Sequence, residues 1–132
     1  MSANLSLVLK AYEASLRGSY EDFLELLHPQ IRITLPESLP HGGSYEGREG
    51  ARQLRQRLLG AWSDFRVDIL EHLVGADSVI TLIRLKAVAK PTGRNVDMKI
   101  AEYWRLRDGL VMELSAYYFD TKAVFEACTQ QL

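Results

Sequence analysis

A carboxylate in the middle of an apolar strand face is the residue of this chain best placed to do chemistry. Between Asn95 and Arg107 the even positions Val96, Met98, Ile100, Trp104 and Leu106 are apolar, and Glu102 is the exception. The odd positions Asn95, Asp97, Lys99, Tyr103, Arg105 and Arg107 are mostly polar, as in a strand whose side chains alternate between two faces. An ionised Glu102 on the apolar face costs free energy unless it is paired or solvated. Desolvation raises its pKa and turns it into an acid–base group. Such groups cluster at functional sites. Two ordinary arrangements would also accommodate it: an arginine partner inside the core, or local exposure of that face.

His41, in Leu39-Pro-His-Gly-Gly43, is the second acid–base candidate, since an imidazole titrates near neutral pH. A solvent-facing loop histidine fits the same segment. His28, just before Pro29, is expected at a helix end, where a cation suits the dipole, and His72 on a strand surface. The three histidines lack metal-ligand spacing and Cys128 is the sole cysteine, so neither a metal site nor a cofactor is indicated. Gly42-Gly43 lacks the lysine-bearing glycine loop of a nucleotide site. Trp62, Trp104 and Tyr118 could pave a site for a flat apolar ligand beside Glu102, with Leu35, Leu85, Met98 and Ala116 completing one common cavity. The same residues would equally serve as plain core.

These side chains depend on a definite order of elements. Leu5, Val8, Leu9, Tyr12 and Leu16 recur at helical spacing, and Gly18 closes that helix. Phe23, Leu24 and Leu27 give a second helix that ends before Pro29. Ile31, Ile33 and Leu35 alternate as a short strand, and Pro36 to Gly43 reads as a loop. A third helix is expected over about Arg48 to Ala61, with Ala51, Leu54, Leu58 and Trp62 as its apolar stripe. Its arginines 48, 52, 55 and 57, flanked by Glu46, Glu49 and Asp64, read as a solvated face. Four strands follow as a meander: Phe65 to Val74, Val79 to Ala89, Val96 to Leu106, and Leu110 to Tyr118 after the Asp108-Gly109 hairpin signal. Asp120 or Thr121 then caps a last helix with Val124, Phe125 and Cys128 inward. Helices segregated from an antiparallel meander predict an α+β domain.

Composition narrows the function classes. The 132 residues carry 16 Lys plus Arg against 17 Asp plus Glu, a net charge of −1 that argues against nucleic-acid binding. One domain spanning residues 1–132 is expected at this length. No run approaches the roughly 20 apolar residues of a membrane span. The amino terminus lacks a basic stretch before its apolar run, and a lone cysteine cannot form an intrachain disulfide, so the cytoplasm is the expected location. Ile80, Leu82, Val88, Val111 and Tyr117 fall on the outer sheet face, a patch that predicts a homodimer.

Tyr45-Glu-Gly-Arg-Glu-Gly50 at the entry to a helix resembles the Tyr-x-Gly-Arg signature of SnoaL-like domains. So do Tyr103-Trp-Arg-Leu-Arg-Asp-Gly109, Ala116-Tyr-Tyr-Phe-Asp120 and the opening Leu16-Arg-Gly-Ser-Tyr-Glu-Asp-Phe-Leu-Glu-Leu-Leu27. The resemblance covers nearly the whole chain. It implies the nuclear transport factor 2-like superfamily, with ketosteroid isomerase, polyketide cyclases and limonene epoxide hydrolase among its members. The implied fold is a cone-shaped α+β barrel, a curved and mostly antiparallel sheet wrapped around helices, enclosing an apolar pocket with His41 near its mouth. The implied ligand is a small hydrophobic molecule, and the implied chemistry an isomerase or cyclase reaction of keto–enol or aldol type. Counted back from the hairpin, Glu102 falls where ketosteroid isomerase keeps a protonated aspartic acid. Leu35 stands at that enzyme's base position and Ala11 at its tyrosine position, with Tyr12 expected to point elsewhere. The standard isomerase mechanism is therefore disfavoured. Arg84 and Asp97 fall on the outer parity, which also disfavours the epoxide hydrolase arrangement. Fold does not fix chemistry, and a non-catalytic ligand-binding or dimerisation domain is the competing reading.

Overall fold

The computed structural model describes residues 2–129. Helix α1 (Ala3–Leu16) begins with the Ser2 hydroxyl capping the Leu5 amide and ends at Gly18, whose φ of 83° only glycine adopts freely. Helix α2 (Tyr20–Glu25) is short, and β1 (Leu27–Leu35) follows almost at once. His28 is thus in a strand, not at a helix end, and its Nδ1 accepts from the Gln30 amide. Pro29 is tolerated because pairing of β1 with its neighbour is irregular between Leu27 and Arg32, so the missing N–H breaks no ladder bond. From the last residue of the expected loop, β2 (Gly43–Glu46) runs back and pairs with the end of β1.

Helix α3 (Gly47–Ala61) runs directly into β3 (Trp62–Val74), so Trp62 opens a strand instead of closing a helix. The strands β4 (Ser78–Ala89), β5 (Asn95–Arg107) and β6 (Leu110–Tyr118) complete the meander, and α4 (Thr121–Thr129) closes it. The β5–β6 turn has positive φ at both Asp108 and Gly109, the backbone that a two-residue hairpin demands. The Asp120 carboxylate caps α4 through the Ala123 amide. On α4, Val124 and Cys128 are buried, but Phe125 is exposed, because the helix turns it away from the sheet.

The six strands form one sheet in the order β2-β1-β6-β5-β4-β3, antiparallel except for β1 beside β6. The sheet is open: β2 and β3 are edges. Helix α1 packs against β4, α3 against β1 and β3, and α4 against β5. One correction concerns parity. Between Arg105 and Leu106 the β5–β6 register slips, so Leu106 lies opposite Val111 and Met112 becomes the extra residue. A slip of one residue swaps the faces. Val111 is consequently buried with Leu106 and leaves the outer-face patch. No helix among the described residues is long and apolar enough to cross a membrane.

Candidate functional site

The concave side of the sheet and the helices α1, α2 and α3 enclose a cavity of about 340 Å³. Its wall is mainly apolar, with Ile33, Leu54, Ile83, Leu85 and Ile100 among its residues. Its rim includes Leu16, Leu59 and Phe65, three exposed apolar side chains from α1, α3 and β3. Glu102 lies in the wall, and its strand neighbours explain how. Register places His72 of β3, Thr81 of β4, Glu102 of β5 and Ala116 of β6 in one row across the sheet.

The carboxyl of Glu102 accepts a 2.5 Å hydrogen bond from the Tyr12 hydroxyl. Trp104 Nε1 donates to that same hydroxyl at 3.1 Å. An indole N–H is a donor only, so it fixes the tyrosine oxygen as acceptor there and commits the phenolic proton to Glu102. Next to Glu102 in the same row is Thr81, whose Oγ1 lies 2.8 Å from His72 Nδ1. Tyr12 and Trp104 meet edge to face, with ring centroids 5.2 Å apart. Among the described residues no cation pairs with Glu102. Its surface is partly open, but to the cavity, and the surrounding protein desolvates the carboxyl. Burial therefore raises its pKa above the ordinary glutamate range, and the Tyr12 bond, which favours the ionised form, offsets part of that rise. Burial and the neighbouring Glu102 both hold Tyr12 and Tyr118 protonated.

Of the residues expected to surround a cavity, Glu102, Leu35, Trp62, Leu85, Trp104 and Tyr118 line this one. Met98 and Ala116 are buried in the core outside its wall. His41 is not at the mouth. It is almost wholly buried, with Nε2 3.3 Å from the Tyr118 hydroxyl, so the tyrosine stands between it and the cavity. Its backbone is held by Tyr45, which donates to the His41 carbonyl and accepts from Arg57. Burial, helped by the Arg57 charge, pulls the His41 pKa down to about 4. The ring is neutral at physiological pH and is not part of the cavity wall.

Tyr12 corrects the opposite expectation: it points inward and is the direct partner of Glu102. A tyrosine in the buried stripe of α1 needs a partner for its hydroxyl, and that was the signal for it. Thr81 carried the same signal, a polar residue amid Val79, Ile83 and Leu85 on one strand face. His72 is half buried against Thr81 and Tyr12, not a surface residue. Arg84 and Asp97 form a two-bond ion pair on the outer face, at 2.8 and 2.9 Å, as their parity predicts. No three His, Cys, Asp or Glu side chains among the described residues are placed to hold a metal ion.

A model of the SnoaL-like domain matches residues 8–114. Among solved structures, a nuclear transport factor 2-like protein of unknown function from Burkholderia pseudomallei is 22% identical with a TM-score of 0.91, the match covering 98% of this chain and 100% of that one. TerC, co-crystallised with polyporic acid, is 20% identical with a TM-score of 0.87, covering 98% and 100%. A proposed SnoaL-like polyketide cyclase from Jannaschia is 22% identical with a TM-score of 0.85, covering 98% and 94%. At these identities the likeness is one of fold. Among curated proteins none matches.

Proposed function

Because the chain belongs to the SnoaL-like family, whose domain it matches over most of its length, we infer that it binds a small hydrophobic molecule in the cavity and moves a proton on it through Glu102. One observation carries this reading: a desolvated carboxyl, bonded to Tyr12 and paired with no cation among the described residues, in the wall of an apolar cavity. The similar structures support it by kind, one a proposed polyketide cyclase and one co-crystallised with polyporic acid. The cytoplasm remains the proposed location, consistent with a single buried thiol, Cys128.

A carboxyl whose pKa is raised exists in both forms closer to neutral pH. The carboxylate takes a proton from the carbon beside a bound carbonyl, giving an enolate and the carboxylic acid. The acid then returns that proton to the enolate oxygen, or to a second carbon, and the carboxylate is restored. Tyr12 steadies the charged form of Glu102 through its hydrogen bond, and Trp104 orients Tyr12. The result is keto–enol isomerisation or, where the enolate attacks an internal carbonyl and the alkoxide so formed takes the proton from Glu102, an aldol ring closure. The competing reading, a ligand-binding domain without chemistry, is favoured by the placement of His41 outside the cavity, which leaves Glu102 to act as both acid and base.

The test is deuterium exchange at the carbon beside the carbonyl of 2-tetralone, followed by proton NMR, with binding read separately by saturation transfer. Wild-type protein should accelerate exchange, and Glu102→Leu and Glu102→Gln should lower the rate by about 10²–10⁴-fold while Glu102→Gln still binds. Binding without exchange in the wild type would establish the non-catalytic reading. No binding would sink both.

A further inference from the structure

The inner stripe of α3 contributes Leu54, Arg55, Leu58 and Leu59 to the cavity wall, and Arg55 is the one charged residue among them. The sequence treats the arginines of this helix alike, but their partners separate them. Arg48 donates twice to the Leu27 carbonyl, Arg52 pairs with Glu21 and Glu49, and Arg57 donates to the Tyr45 hydroxyl. Arg55 has no carboxylate and no hydrogen-bond acceptor among the described residues. Its guanidinium instead stacks over the Tyr20 ring, 4.4 Å from the centroid. Stacking satisfies the flat face of a guanidinium and leaves its edge of N–H donors free to fork onto a planar anion. Tyr20 is itself anchored, its hydroxyl donating to the Ala51 carbonyl at 2.7 Å, so the platform under Arg55 is fixed.

Arg55 is only half buried and shares its turn of α3 with the exposed rim residue Leu59, whereas Glu102 sits inside with Tyr12 and Trp104. The cavity therefore offers an apolar body flanked by an unsatisfied cation toward the rim and a hydrogen-bonding carboxyl within. We propose that Arg55 anchors the acidic group of an amphipathic anion, so that the ligand class is a hydrophobic carboxylate, enolate or phenolate, not a neutral hydrocarbon-like molecule. This rests on the cavity being a binding site and adds the charge its ligand must carry.

Two dyes of one skeleton test it: 8-anilinonaphthalene-1-sulfonate, which carries an anion, and N-phenyl-1-naphthylamine, which does not. Each is titrated by fluorescence into wild type, Arg55→Met and Arg55→Gln, and each is then used to displace the other. The sulfonate should bind wild type more tightly, lose about tenfold or more in affinity in both variants, and compete with the amine. The amine's affinity should change less than about twofold in the same variants, which also shows that their cavity is intact. Equal binding of the sulfonate to wild type and variants, with the amine still bound, overturns the anion anchor and leaves the cavity reading standing. Failure of the two dyes to compete places the sulfonate elsewhere and overturns it too. If neither dye binds wild type, the cavity reading fails and the anchor falls with it.

Discussion

Tyr12 accepts from one buried group and donates to another, so its hydroxyl sets both the geometry and the charge of Glu102. Tyr12→Phe should cost about 1–3 kcal/mol in urea unfolding, because Trp104 Nε1 loses its acceptor inside the protein. It should also raise the Glu102 pKa further, moving the rising limb of the exchange-rate profile to higher pH. The linkage signs differ for the two perturbed groups. Native Glu102 holds its proton more tightly than the unfolded chain, so its contribution to stability is full below the ordinary glutamate range, near pH 4, and declines as pH rises through the raised value. Glu102→Gln should remove that decline. For His41 the unfolded chain binds the proton and the native state refuses it until about pH 4, so stability is full above about pH 6.5 and is lost as pH falls through that window. His41→Gln should flatten the acid side of the same denaturation series. The sequence revealed Glu102 because strand parity exposes a single intruder. It hid Tyr12, because one residue along a helix is a rotation of about 100° and Ala11, not Tyr12, stands at the position of the isomerase tyrosine.

At the level of elements, long periodic segments were legible, and junctions were not. The meander strands and α3 follow their hydrophobic patterns to within a few residues, whereas β2 is four residues long and β1 starts four residues before the alternation begins. Alternation also carries no information about where an extra residue enters, so strand parity alone puts Val111 on the wrong face. The loop between β1 and β2 shows how an element's position depends on close contact. A Cβ on Gly42 would lie 2.0 Å from the Pro36 carbonyl oxygen, a distance no packing tolerates. Gly42→Ala should therefore displace the loop that carries His41 behind Tyr118, lowering stability on the order of 1–3 kcal/mol and the melting temperature with it in calorimetry.

For the whole molecule, the α+β class and the superfamily were legible from pattern and motif together, because the family's turns and hairpin recur in order. Which residues close the cavity was not, since helix α1 and strand β4 meet across nearly seventy residues of sequence. The outer face still carries Ile80, Leu82, Val88 and Tyr117 beside the Arg84–Asp97 pair, and we propose that a second copy of this chain covers it. Light scattering at micromolar concentration should return twice the chain mass, and Leu82→Glu with Tyr117→Glu should return the chain mass itself. The free side of β3 poses a different problem. Thirteen residues long and without a partner strand beyond it among the described residues, it presents open N–H and C=O groups together with exposed Phe65, Ile69, Leu70 and Leu73. Such a border is a template for amyloid-like stacking. Asp64, Arg66, Asp68 and Glu71 interrupt it with charge, and two register slips kink it. Those charges act as gatekeepers: Asp68→Val with Glu71→Val should produce thioflavin-positive fibrils at concentrations where the wild type stays clear. Phe65 belongs to both the cavity rim and this border, so the demand for an apolar entrance and the demand for an inert edge fall on the same strand.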